Sequence, residues 1–174
     1  MRKVKFSIIL LFLTISIFAQ KNCQYQIDEN KILENRNLDF FLTKIKNDKF
    51  ATINNIKAIP TKVKHELDCI TGKFSIANPN QKYQVGCIRE RGVPNRQLIF
   101  LAKSADVLIM SYATGGIGSS THFLFIKYNS QGIIDLWTGI GMGIIKHKSL
   151  EEITKYIALR RNKEWGLNTN IVSI

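Results

Sequence analysis

Four short apolar segments in close succession, 97–102, 107–113, 123–128 and 133–137, constrain this chain more than any other feature. Each is too short for a typical helix and rich in aromatic and aliphatic residues, the composition of strands. Leu98-Ile99-Phe100-Leu101 and Val107-Leu108-Ile109-Met110 lack alternating polar residues, so both faces of the sheet they build need cover. The connections 103–106 and 129–132 are short and turn-like, with Asn129, Ser130 and Gly132 in the second. The expected arrangement is an antiparallel meander between two covering layers.

Helices supply the cover. Leu38, Phe41, Leu42 and Ile45 fall on one stripe of a helix over 37–47. Val63, Leu67 and Ile70 do the same over 61–71, with Pro60 ahead and Gly72 where a C-terminal cap belongs. Ser149-Leu150-Glu151-Glu152 is a capping box that opens a third helix, with Leu150, Ile153 and Ile157 turned inward. Between the second helix and the meander, 74–77 and 83–88 flank the turn Asn78-Pro79-Asn80-Gln81 and read as a hairpin. The polar stretch 21–37 reads as an extended lead-in, and 171–174 as a last edge strand. The fold class is α+β: an antiparallel β-meander packed with N-terminal helices and one C-terminal helix, in a single domain over 21–174.

The first twenty residues stand apart. Arg2, Lys3 and Lys5 precede a run over 6–19 that only Ser7, Thr14 and Ser16 interrupt. That is the charged region and apolar region of a cleavable export signal, shorter than the roughly 20 residues that cross a bilayer. Ala19 is the small residue before the expected cut, and residues 1–20 are the signal peptide. Gln20, Lys21 and Asn22 precede Cys23 where a lipoprotein signal takes small and aliphatic residues, so no lipid anchor is expected. The expected location is periplasmic or extracellular, with no transmembrane segment in the mature chain.

The net charge of +12 falls to +9 when Arg2, Lys3 and Lys5 leave. The remaining cations come in small groups such as Arg89/Arg91 and Arg160/Arg161/Lys163, without the long or aromatic-interleaved runs of nucleic-acid binders. An unknown protein or anionic ligand is the expected partner. Three cysteines in an oxidising compartment imply one disulfide and one thiol left over. Cys69 sits off the apolar stripe of its helix, so the expected bridge is Cys69 to Cys87, leaving Cys23 free.

In an up-and-down meander the two tight turns share one sheet end. The longer connections 89–96, 114–121 and 139–148 then meet at the other. In the middle one, Gly115, Gly116 and Gly118 permit positive φ and close backbone approach to an anion, and Ser119, Ser120 and Thr121 add hydroxyls. It is not a Walker loop, because no Lys precedes the serines and a strand follows. The same glycines also suit a bulged hairpin connection. In 138–143 glycine alternates with apolar residues, as close backbone packing requires. The candidate ligand-binding set is Gly115, Gly116, Gly118, Ser119, Ser120, Thr121, His122 and Trp137, with Arg89, Arg91, Arg96 and Lys146 favouring an anion.

Cys87, His122 and Asp135 could be cast as thiol, base and orienting group of a cysteine hydrolase. Cys87 falls in an expected strand, however, rather than at a helix N-terminus that would lower its pKa. No CxxC, HExxH, dinucleotide fingerprint or EF-hand loop is present, so no cofactor or metal is expected. The functional expectation is a noncatalytic exported domain that binds a protein or anionic ligand. A small envelope hydrolase using a Cys/His site near the glycine loops is the alternative.

Overall fold

The computed structural model describes residues 23–161, apart from 87, 117 and 148, together with 172–174. The expected export signal, Cys87 and residue 171 of the tail lie outside the described residues.

In chain order the elements are α1 (Glu29–Leu33), α2 (Leu38–Asn47), β1 (Ala51–Thr52), a 3-10 turn (Ile56–Ala58), α3 (Thr61–Thr71) and β2 (Ile76–Ala77). Then come β3 (Arg96–Lys103), β4 (Val107–Thr114), β5 (Ser120–Tyr128), β6 (Ile133–Met142) and α4 (Leu150–Arg160). The sheet runs β1-β3-β4-β5-β6 with antiparallel neighbours, and β2 adds a two-residue parallel bridge to β3. The α+β class and the meander are therefore as expected. The strands are longer than their apolar cores. Ser120 starts β5 and Met142 ends β6, so the glycine stretch 138–143 is almost wholly strand rather than loop.

Registers sort the side chains into two faces, because residues directly opposite in a ladder point the same way. One face carries Phe123, Phe125 and Trp137. Phe125 meets Phe41 of α2 with ring centroids 5.9 Å apart, and Phe123 meets Tyr156 of α4 at 5.3 Å. The other face carries Tyr112, His122 and Leu124, with Phe74, just beyond α3, edge-on to Tyr112 at 5.6 Å. Both faces are covered, and that is why the strands carry no alternation: every residue from Val107 to Ala113 is buried.

Outside the meander the structure differs from the sequence reading in several places. The stretch 21–37 contains α1, whose first turn is capped by Asp28, the carboxylate accepting from the Lys31 N–H at 2.9 Å. With Ile32 as its one buried residue, this short helix shows no period. The hairpin over 74–77 and 83–88 does not form. Ile76 and Ala77 pair with β3 instead, and the Gln84 N–H donates to the Pro94 carbonyl at 2.9 Å. In the tail, 172–174 are not strand.

The disulfide joins Cys23 to Cys69, with Cα atoms 5.7 Å apart, and not Cys69 to Cys87. The lead-in runs beside α3, where the Tyr25 N–H donates to Glu66 at 3.1 Å. Glu66 and Cys69 are one helical turn apart, so this contact carries Cys23 to Cys69. Among the described residues no helix is long and apolar enough to cross a membrane.

Candidate functional site

Arg96, Thr114, Ser120 and Met142 stand in register across the four long strands at one end of the sheet. The connections that leave this row are the three longer ones, so they meet at one sheet end. Alternation along the strands then puts Arg96, Tyr112, Thr114, Ser120 and His122 on the same face.

These side chains form one polar cluster. The Thr114 and Ser120 hydroxyl oxygens lie 2.7 Å apart, and His122 Nε2 is 3.3 Å from the first and 3.0 Å from the second. The imidazole lies flat on the Tyr112 ring, with centroids 5.1 Å apart and planes 10° from parallel. The Arg96 guanidinium stacks 4.7 Å over Phe74, and its Nη2 donates to the Ile174 carbonyl at 2.7 Å. Thr138 donates to the Ser173 carbonyl at 2.8 Å, so residues 173 and 174 lie over this face.

Burial pushes the His122 imidazole down to about 4, the Ser173 backbone opposing and the Arg96 cation adding to the drop. It is therefore neutral at pH 7. Burial also raises the Tyr112 phenol, which Arg96 partly offsets. Among the described residues, Arg96 Nε, the Tyr112 hydroxyl and His122 Nδ1 are buried and meet no hydrogen-bond partner.

Beside the cluster opens a cavity of about 320 Å³. Arg89, Arg96, Gln84, Asn95 and Thr114 line it, with Gly86, Gly115 and Gly116 completing the wall. Among the described residues that line it are two arginines and no acid. One side is closed by the segment 84–85 crossing Gly115, where a Cβ would collide with the Gln84 carbonyl and lie 2.5 Å from Val85 Cα. Gly116 and Gly118 take φ of +123° and +92°, the conformations for which glycine is needed.

The expected site residues separate. Ser120 and His122 join the polar cluster, and Gly115 and Gly116 line the cavity. The Gly116 N–H is spent on the Val85 carbonyl at 3.4 Å, so it is not a free donor. Gly118 and Ser119 are exposed at the turn, the Ser119 carbonyl accepting from the Gly143 N–H at 3.0 Å. Thr121 points to the opposite face. Its hydroxyl donates to the Gly143 carbonyl at 2.9 Å and accepts from the Ile145 N–H at 2.8 Å, pinning the chain after β6. Trp137 is no pocket wall: it is fully buried on that opposite face, its indole N–H donating to Asn35 at 2.9 Å.

Of the expected thiol, base and orienting group, Cys87 lies outside the described residues, and Asp135 is not beside His122: it lies on the opposite face of the sheet, bound to Lys31 at 2.8 Å and Asn37 at 2.9 Å. His147 is buried against Phe123 and Tyr156, and burial lowers its pKa while Glu152 opposes. The sequence reading missed Tyr112 and Thr114. Two-residue alternation in adjacent strands, Tyr112/Thr114 beside Ser120/His122, was the available signal.

Among the described residues no group of His, Cys, Asp and Glu is placed to hold a metal ion. Comparison with family models, curated proteins and solved structures finds no match for the chain. What the fold and site define is a class: an α+β meander with a small cationic cavity at one sheet end.

Proposed function

We propose that this is an exported, noncatalytic domain that binds an anionic group, on a small ligand or a protein partner, in the cell envelope or outside. The cavity carries the reading: Arg89 and Arg96 face about 320 Å³ with no acid among the lining residues. That volume is at the low end for ligand pockets and suits a phosphate, sulfate or carboxylate better than a large molecule. Arginine offers such groups paired N–H donors, and Thr114, Gln84 and Asn95 add neutral ones. Export is supported by Arg2, Lys3, Lys5 and the apolar run over 6–19, and the Cys23–Cys69 bridge is compatible with an oxidising compartment.

Titration of the mature domain with inorganic phosphate, sulfate and acetate, followed by calorimetry, tests the binding. Saturable binding that weakens at least tenfold in Arg89→Gln supports it. Absence of binding, or equal binding by the variant, removes the reading. N-terminal sequencing of the protein recovered from cells tests export, and an intact Met1 counts against it.

A further inference from the structure

The three most exposed large hydrophobic side chains among the described residues are Ile88 at 86 %, Met142 at 83 % and Val85 at 66 %. All three belong to the sheet end that holds the arginine cavity. Val85 crosses Gly115, Ile88 lies two residues beyond the cavity-lining Gly86, and Met142 ends β6 opposite Ser120. Ile144, 39 % exposed, follows on the same connection. Scattered surface aliphatics need no explanation, but the most exposed ones gathered at one pole do.

Their neighbours are cations. Arg89, Arg91 and Lys146 are exposed, and the one acid within 80–96, 115–119 and 142–149 is Glu90, paired with Lys82 at 2.6 Å. Protein interfaces are anchored by Trp, Tyr and Arg in desolvated pockets; here, among the described residues, no exposed aromatic stands among these tips, and Arg89 and Arg91 are exposed rather than desolvated. Aliphatic tips ringed by Arg and Lys match a bilayer surface, where the tips enter the acyl boundary and the cations meet lipid phosphates.

We propose that this end of the domain docks on an anionic phospholipid surface, with the Arg89/Arg96 cavity taking a headgroup phosphate and Val85, Ile88 and Met142 inserted beside it. The proposal rests on the anion-binding reading of that cavity. Each exposed cation should strengthen partition about fivefold at low salt, an effect lost as salt screens the charges.

The test uses the mature chain with two probes: phosphatidylglycerol/phosphatidylcholine vesicles in a sedimentation assay, and soluble glycerol phosphate in calorimetry. The expected results are partition onto the mixed vesicles, little onto pure phosphatidylcholine, and binding of glycerol phosphate. The double change Ile88→Ser and Met142→Ser should lower vesicle partition at least tenfold and leave glycerol phosphate affinity unchanged. Arg89→Gln should lower both. Binding of glycerol phosphate without vesicle partition overturns the lipid surface and leaves the anion reading standing. Vesicle partition insensitive to the serine changes also overturns it. Binding to neither probe overturns both readings. Circular dichroism confirms that the variants, changed only at exposed side chains, remain folded.

Discussion

Mild acid should destabilise this chain through His122 before Asp39 and Asp68 take up protons. The imidazole is 6 % exposed and its pKa is held at about 4 in the fold, against 6.5 when unfolded. Because the folded value is the lower one, the neutral form is the stabilising one. Its contribution is fully present above pH 6.5 and is lost as the pH falls from 6.5 through 4. At 1.36 kcal/mol per pH unit the whole loss is about 3 kcal/mol, a large share of an ordinary domain's 5–15 kcal/mol. Asp39, held down by Arg161, and Asp68, which burial raises but Lys64 and the Phe74 N–H hold down, give up their contributions only below 3.8. The window between 6.5 and 4 therefore belongs to buried histidine. Urea unfolding at 25 °C between pH 7.5 and 4.5 reads it, comparing the native chain with His122→Gln, which keeps a neutral polar group near Ser120 and removes the titration. The variant's stability should fall with pH by about 2 kcal/mol less. His147, lowered in the same direction, supplies the remaining slope. Parallel curves for the two proteins would refute the burial argument.

Three further outcomes follow from packing. Gly115→Ala should cost about 1–3 kcal/mol in the same unfolding assay, because backbone atoms of residues 84 and 85 block the new Cβ, whereas Gly86→Ala, with open space around it, should be near neutral. Asn35→Ala should cost more than Asn35→Gly, since both leave the buried Trp137 N–H unpaired but only alanine strains a φ of +55°. Opening the Cys23–Cys69 bridge by Cys23→Ser should cost about 4 kcal/mol from a closed loop of 46 residues, read as a drop in unfolding midpoint that dithiothreitol does not deepen.

The legible parts of the fold were those where one physical signal ran over many residues. The stripes of α2 and α3, the Ser149 cap, whose oxygen accepts from the Glu152 N–H at 3.2 Å, and the doubly buried strands all stood where period and composition put them. Short elements were not legible. The helix α1 has one buried residue, and β2 is two residues whose partner is parallel and twenty positions away, so neither leaves a repeating pattern. The disulfide was misread for a related reason. Cys69 was correctly placed off the apolar stripe, but what reaches it is the lead-in, held beside α3 by the Tyr25–Glu66 hydrogen bond.

The glycine loop poses the sharper question, because a bulged hairpin connection and a ligand cradle were the two explanations its sequence offered. At Gly115 the structure adds a close backbone crossing, and that crossing serves the cavity. The missing Cβ lets residues 84–85 close against the loop, and that crossing brings Gln84 and Gly86 up to the cavity that Arg89, Arg96 and Thr114 share. Without it the two arginines would stand at an open sheet end, where water weakens their hold on an anion. A substitution there should therefore affect stability and anion affinity together, while Arg89→Gln, at an exposed side chain, should affect affinity alone. If Gly115→Ala proved less stable yet bound phosphate as tightly as the native chain, the crossing would be packing only and the cavity would not depend on it.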